Sequence, residues 1–120
     1  MSTVTYGPYS PVLKAGEYIF TSGQVGVTDP NTGKDIEGVE AQTKQCFNNV
    51  KNVLASVGAS LSDVVKVTVF LKEAGDFTNM NETYKNYFPE KKPARSTVVT
   101  SLVDPRMLIE IECIAYCPSG

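Results

Sequence analysis

Two strand-like segments near the end of the chain carry charged side chains that could bind and activate a small molecule. The segment PARST at residues 93–97 places Arg95 among small residues, and the segment IEIE at residues 109–112 places Glu110 and Glu112 within an apolar run. Burying an ionised side chain without a partner costs several kcal/mol. Charges in such segments therefore indicate either a structural salt bridge or a site.

Each of these charged residues could have either a functional or a structural role. Arg95 can hold a carboxylate or phosphate through the planar fork that lysine lacks, or it can form an ion pair on a mixed sheet face, which is the commoner role. Glu110 can orient or deprotonate a water, a role worth roughly 10²- to 10⁴-fold in rate, or it can be the partner of Arg95 or Lys66. Glu112 has the same strand parity and could share either role.

Other residues give weaker signals on their own. Tyr9 follows a proline and could form the wall of a pocket or simply pack as an aromatic residue. Asn81 lies in a predicted helix and could donate a hydrogen bond to a ligand or be solvated. Cys46 and Cys113 fall at apolar positions, which predicts core thiols rather than nucleophiles. Histidine is absent, so the commonest general base and transition-metal ligand are missing and no metal site is predicted.

Composition limits the class of protein. The 120 residues fit one domain over residues 1–120 with room for a proper core. Eleven basic and thirteen acidic residues give a net charge of −2 without a Lys/Arg block, so nucleic acid is an unfavourable partner. No basic leader segment and no run of about 18 apolar residues is present. We expect a cytoplasmic protein that does not act in a membrane.

Strand-like and helix-like patterns alternate along the chain, which predicts mixed α and β structure in one unit. The predicted elements are a hairpin turning at residues 15–17, helices over residues 40–57 and 76–87, and strands over residues 63–72, 94–101 and 107–116.

Strand parity assigns the side chains of these strands to faces. Val65, Val67, Val69 and Leu71 should share one face of their strand. In the two later strands, Arg95, Thr97 and Val99 share one face, and Leu108, Glu110, Glu112 and Ile114 lie opposite Ile109, Ile111, Cys113 and Ala115. Each strand thus has an apolar face for covering helices and a mixed face. A partner subunit is expected to cover the mixed face.

Several short motifs, taken together and in this order, resemble the Rid family, also called YjgF or L-PSP. They are GPYS at residues 7–10, SGQ at 22–24, NVKNVL at 49–54, NETY at 81–84, PARST at 93–97 and IEIECIA at 109–115. The resemblance covers nearly the whole chain.

The resemblance implies an α/β (α+β) domain with the chorismate-mutase-like fold, in which two helices pack on one face of a mixed β-sheet. It also implies a homotrimer with clefts between subunits. The implied activity is that of the RidA branch, a hydrolase acting on C–N bonds. Such an enzyme converts reactive enamines and imines, such as 2-aminoacrylate and 2-aminocrotonate, to 2-oxo acids and ammonia.

The family pattern also implies roles for individual residues. Arg95 would hold the substrate carboxylate and Glu110 would aim a water at the imine carbon, which needs no metal or cofactor. Thr97 stands where many members of the family carry cysteine. The backbone N–H at this position, which the family pattern uses as a hydrogen-bond donor to the ligand, does not depend on that difference. The residues that the resemblance places around the substrate are Tyr9, Ser22, Gly23, Asn81, Arg95 and Thr97.

Two other functions stay open at this point. Family members have been described as endoribonucleases or translation inhibitors, against which the acidic balance and the missing histidine argue. A ligand-sensing trimer that binds small carboxylates without turnover would need Arg95 but not Glu110. The sequence also leaves open whether Arg95 and Glu110 face a shared cleft or each other.

Overall fold

A computed structural model describes residues 5–118 of the chain. Six strands form one sheet: β1 (Val12–Ala15), β2 (Tyr18–Thr21), β3 (Gln24–Val25), β4 (Val64–Leu71), β5 (Ala94–Val99) and β6 (Ile109–Tyr116). The helices are α1 (Val39–Ala55) and α2 (Phe77–Tyr84), with short 3₁₀ turns at Leu61–Asp63, Ala74–Asp76 and Lys85–Tyr87. In this part of the chain, no helix is long and apolar enough to cross a membrane.

The sheet is mixed, with β6 near its centre. Its order is β1-β2-β6-β4-β5, and the short β3 also pairs with β6. All pairs are antiparallel except β4 with β5, which are parallel. A parallel pair needs a crossover connection, and α2 with its flanking turns supplies it. The predicted hairpin is present, because β1 and β2 pair directly across Gly16 and Glu17.

The core lies between the helices and one face of the sheet. Helix α1 buries an apolar stripe that includes Cys46, Phe47, Val50 and Leu54, and α2 buries Met80. Alternate residues of β4 and β6 meet these side chains, because successive residues of a strand point to opposite faces. The buried strand residues are Val67, Val69, Leu71, Ile109, Ile111, Cys113 and Ala115. The predicted fold of one mixed sheet covered on one face by two helices is confirmed.

Parity fails at the start of β4. Val64 pairs with Ala115 but Lys66 pairs with Ile114, so a β-bulge inserts Val65 as an extra residue. Val64 is buried as a result, whereas Val65 is only partly buried. The assignment of Val65 to the face of Val67 is therefore wrong.

The face of β5 also differs from the expectation. Arg95 is opposite Val67 and Thr97 is opposite Val69, so both residues point toward the helix side of the sheet. The alternation of side chains in the sequence instead predicts a mixed face, of the kind that carries Glu110, for both residues. Parity states which residues share a face, but the pairing register decides which face it is. Because β5 is an edge strand, Arg95 stays only partly buried there.

On the other side of the sheet no helix of residues 5–118 packs, and we call this side the open face. Its apolar residues run from β1 across the sheet to β5: Leu13, Tyr18, Phe20, Phe70, Val98, Ile114 and Tyr116. Leu13 is 62% exposed, and Phe20 and Val98 are 42% and 44% exposed. Several large apolar side chains exposed on one face of a sheet indicate an interaction site.

Candidate active site

Glu110 lies in a hollow of about 440 Å³ at one end of the open face. It faces outward because β6 alternates, with Ile109 and Ile111 in the core and Glu110 between them. The hollow, which we call the carboxylate pocket, is lined by Tyr6, Tyr9, Ser22, Gly23, Val25, Val103, Met107, Glu110 and Glu112. Three of the predicted site residues thus gather around Glu110: Tyr9, Ser22 and Gly23.

Ser22 ties the N-terminal segment to this pocket. Its backbone N–H donates to the carbonyl of Pro11 at 2.9 Å, and its Oγ donates to the carbonyl of Ser10 at 2.6 Å. The phenolic oxygen of Tyr9 accepts a hydrogen bond from the backbone N–H of Tyr6 at 2.9 Å. These bonds hold the ring of Tyr9 as one wall of the pocket.

Gly23 lies directly against the carboxylate of Glu110. A Cβ atom at position 23 would overlap Oε2 of Glu110 and crowd its Cδ and Cγ. Only glycine leaves room for the acid at this place, because any other residue carries that atom. The glycine of the SGQ motif therefore allows a carboxylate to lie against the backbone.

The environment of Glu110 favours its protonated form. Partial burial raises the pKa of Glu110 above its ordinary value, and the nearby charge of Glu112 raises it further. Ion pairs within residues 5–118 join Lys85 to Glu82 and Arg106 to Asp35 and Asp104, so Glu110 takes part in none of them. Within residues 5–118 of one chain, no ion pair joins Glu110 to Arg95 or to Lys66.

Arg95 is held by one face of helix α2, in a group that we call the arginine cradle. Its Nη1 donates to Oδ1 of Asn81 at 2.7 Å. Its Cζ lies 4.7 Å from the ring centroid of Tyr84 and 5.7 Å from that of Phe77, which are cation–π distances. Phe77, Asn81 and Tyr84 follow the i, i+4, i+7 spacing of one helical stripe. Asn81, which the sequence suggests as a hydrogen-bond donor to a ligand, here accepts from Arg95 through its side-chain oxygen.

The cradle fixes the guanidinium without neutralising it. Asn81 and the two rings carry no net charge, and no carboxylate of the described chain pairs with Arg95. The hydroxyl of Thr97, two residues along the same face, is buried without a hydrogen-bond partner in residues 5–118. A cation that is oriented by neutral groups can hold an anion.

The two groups of site residues do not meet within one chain. Arg95 shares a face with Val67 and Cys113, and Glu110 shares the opposite face with Phe70. Of the two arrangements left open by the sequence, contact between the two residues is absent from this chain. A shared cleft would require a second chain.

Sequence reasoning missed part of both groups. The cradle residues Phe77 and Tyr84 could have been found from their spacing around Asn81 on a predicted helix. The pocket residues Val25, Val103 and Met107 lie in or beside loops, where no periodic pattern identifies them. Their presence depends on how the loops fold back onto the sheet.

The cysteines take no part in either group. Cys46 and Cys113 are buried in the core, as predicted. Burial raises the pKa of the Cys113 thiol to about 12, and burial likewise raises the pKa of Cys46. Such thiols stay protonated near neutral pH and are poor nucleophiles.

Comparison with known proteins decides the family. The family model described as Endoribonuclease L-PSP matches residues 2–117. The chain belongs to this family, also known as Rid or YjgF. It is 50% identical over 111 residues to a RutC family protein of Pyrococcus abyssi, a match that spans 92% of this chain and 87% of the relative. It is 42% identical to the 2-iminobutanoate/2-iminopropanoate deaminase of Salmonella typhimurium over 91% of this chain and 87% of that protein.

Solved structures of the family have the same fold. The crystal structure of E. coli TdcF with bound serine superposes with a TM-score of 0.85 at 36% identity, covering 93% of this chain and 90% of TdcF. Names within the family thus include both an endoribonuclease and an imine deaminase. The chain is thus a member of the Rid family and has deaminases among its relatives.

Proposed function

We propose that this protein is a RidA-type deaminase that hydrolyses 2-imino acids and their enamine tautomers to 2-oxo acids and ammonia. The observation that carries the proposal is that the chain presents both an Arg95 without an acidic partner and a partly buried Glu110 without a cationic partner in residues 5–118. One group suits a substrate carboxylate and the other suits a water. The deaminase named among the relatives supports the same chemistry.

The proposed reaction needs few groups. Arg95 binds the carboxylate of the 2-imino acid, and a charged hydrogen bond of this kind contributes on the order of 1.5 to 3 kcal/mol. Glu110, when ionised, takes a proton from the water as its oxygen bonds to the imine carbon. Glu110 passes that proton to the imine nitrogen, which gives a carbinolamine. The hydroxyl proton of the carbinolamine then also moves to nitrogen as the C–N bond breaks, so that a carbonyl forms and ammonia leaves. An enamine first gains a proton at carbon to become the imine.

We further propose that the site is completed between chains of a homotrimer. Arg95 and Glu110 lie on opposite faces of one sheet, so a single substrate can reach both only if they come from different chains. The apolar open face supplies the surface that such an assembly would bury, and burying one side chain such as Phe20 contributes about 1.5 to 3 kcal/mol. The cytoplasmic location stays a prediction.

The activity is tested by coupling the purified protein to a threonine dehydratase and following the release of 2-oxobutyrate. The wild type should accelerate this release, and both Arg95→Ala and Glu110→Ala should return it to the uncatalysed rate. Lys44→Ala, on the exposed side of α1, is the control and should match the wild type. Full activity of Arg95→Ala would overturn the proposal.

Mixing the two inactive variants tests the shared site. In a closed ring of three, a trimer containing both variants has one site with an intact Glu110 from one chain and an intact Arg95 from its neighbour. Random exchange of subunits at equal amounts should therefore restore about a quarter of wild-type activity. The measurement is the imine assay before and after unfolding and refolding the mixture. No recovery, with trimers formed, would mean that each site lies within one chain.

Two other outcomes separate the alternative functions. A carboxylate sensor would bind 2-oxobutyrate in calorimetry, lose that binding in Arg95→Ala, and fail to accelerate imine hydrolysis. An endoribonuclease would cleave RNA with the wild type and lose the cleavage in Glu110→Ala or Arg95→Ala. RNA cleavage that survives both substitutions would indicate another site or a contaminant.

A further inference from the structure

Three side-chain amides form a stripe along the inner side of helix α1. Gln42, Gln45 and Asn49 follow the i, i+3, i+7 spacing that places residues on one helical face. Gln42 is buried and the other two are partly buried. Amides at such positions must be hydrogen-bonded, because burying an unpaired amide costs free energy. Their partners lie in the segments that carry Glu110 and the residues facing it.

Gln42 joins two loops through three hydrogen bonds. Its Nε2 donates to the carbonyl of Ile36 at 3.0 Å and to that of Arg106 at 2.9 Å. Its Oε1 accepts from the backbone N–H of Leu108 at 2.9 Å. The second and third bonds hold the backbone just before β6, at positions four and two residues ahead of Glu110. The entry of β6 into the sheet is therefore set from α1.

Asn49 holds the strand on the other side of Glu110. Its Nδ2 donates to the carbonyl of Val25 at 2.9 Å, and Val25 is the residue of β3 that pairs with Glu110. Nε2 of Gln45 donates to Oδ1 of Asn49 at 2.9 Å, which fixes the orientation of the Asn49 amide. Helix α1 is thus hydrogen-bonded both to β3 and to the backbone that leads into β6, the two strands that flank the carboxylate pocket.

Gly26 allows this close approach of β3 to α1. A Cβ atom at position 26 would overlap the backbone oxygen of Gln42 and lie 2.8 Å from Cβ of Gln45. The backbone at Gly26, just after β3, therefore packs directly against α1 at the amide stripe. Two close glycine contacts then bracket this short strand, with Gly23 against Glu110 and Gly26 against α1.

We propose that Gln42 and Asn49 are positioning residues for Glu110, which set the place of its carboxylate by holding β6 and β3 to helix α1. The inference rests on the proposed function for its kinetic consequence. Because the arginine cradle belongs to α2 and β5, loosening the amide stripe affects the group that directs water and leaves the carboxylate-binding group in place. The signature is a fall in kcat with little change in substrate binding.

The test compares Asn49→Ala with Asn48→Ala, its exposed neighbour on the same helix. In the imine assay, Asn49→Ala should lower kcat by at least about tenfold, since a displacement near 1 Å can cost 10²-fold, while KM stays within about twofold. Calorimetry with 2-oxobutyrate should give the wild-type Kd. Asn48→Ala should match the wild type throughout. A kcat for Asn49→Ala equal to that of Asn48→Ala would overturn the proposal.

Gln42→Met provides the second variant, because it keeps the length of the side chain and removes all three hydrogen bonds. Its control is Arg106→Met, which removes the exposed ion pairs of the same loop to Asp35 and Asp104 but not the backbone carbonyl that Gln42 uses. Gln42→Met should reproduce the loss of kcat at a temperature where it is fully folded, and Arg106→Met should not. A loss of thermal stability alone would mean that Gln42 is only structural.

A measurement that does not need activity separates the two proposals. The ¹³C resonance of the Glu110 carboxyl, assigned by its absence in Glu110→Gln, should move in Asn49→Ala relative to the wild type and stay fixed in Asn48→Ala. If the wild type hydrolyses no imine, the proposed function fails and this resonance still decides the positioning role. An unmoved resonance in Asn49→Ala would reject that role.

Discussion

The carboxylate of Glu110 occupies the space that a side chain at position 23 would fill. Gly23 follows β2 and precedes β3, and Glu110 lies on β6 beside this connection. Backbone and acid are in contact at this point of the carboxylate pocket. The relationship couples the identity of residue 23 to the position of the acid.

Replacing Gly23 by alanine should therefore displace Glu110 and lower imine hydrolysis on the order of 10²-fold, the cost of a misplacement of about 1 Å. The added Cβ overlaps the end of a movable side chain, so the chain should still fold. Kinetics of the coupled assay and a thermal melt measure the two effects. Gly75→Ala is the matched control, because nothing lies within 4 Å of a Cβ at that position. Equal activity of the two variants would contradict the prediction.

Asn81→Ala should weaken substrate binding through Arg95. The substitution removes the oxygen that accepts from Nη1 at 2.7 Å, so the guanidinium loses one of the contacts that orient it. A hydrogen bond to a charged group contributes about 1.5 to 3 kcal/mol, which corresponds to a rise in KM of at least about tenfold. Steady-state kinetics measure the rise. Asn79→Ala, exposed on the same helix, should leave KM unchanged, and the same KM for both variants would be inconsistent with the arginine cradle.

The elements of this fold that are periodic could be predicted from the sequence. Strand β6 alternates buried Ile109 and Ile111 with outward Glu110, and α1 repeats apolar residues at helical spacing, because the core admits only one face of each. Some of the residues around Glu110 and Arg95, namely Tyr9, Ser22, Gly23 and Asn81, could be named from the family motifs. The division of these residues into two groups, one on each face of the sheet, could not be predicted from the motifs.

That division depends on register, which local patterns do not encode. One extra residue at Val65 reverses the parity at the start of β4, and the pairing of Arg95 with Val67 turns the arginine toward the helices. Both features arise from contacts between segments distant in sequence. Interpreting Arg95 and Glu110 as one buried pair requires them to share a face, and the register separates them.

Glu112→Gln should shift the acid side of the pH profile of kcat/KM to lower pH. Burial is the larger cause of the raised pKa of Glu110, and the charge of Glu112 is the second cause. Removing the charge of Glu112 therefore lets Glu110 ionise at lower pH. Glu110 must be ionised to take a proton from water, and activity should therefore persist further into acid. Glu40→Gln, which removes an exposed charge on α1, should leave the profile in place. If the profile of Glu112→Gln coincided with that of the wild type, the charge of Glu112 would not affect the ionisation of Glu110, and the prediction would be wrong.

Glu110→Gln should abolish activity yet stabilise the protein near neutral pH. Burial raises the pKa of Glu110 in the folded chain, so the folded state holds its proton more tightly than the unfolded state, whose pKa is about 4.3. The stability that this acid contributes is complete below that value and is lost as the pH rises through the folded pKa. Glutamine carries no charge and avoids the loss. At fixed protein concentration, the urea midpoint of Glu110→Gln should therefore be higher than that of the wild type at neutral pH, and the two midpoints should converge in acid. A more stable wild type at neutral pH would mean that the charged acid is stabilised in the folded state.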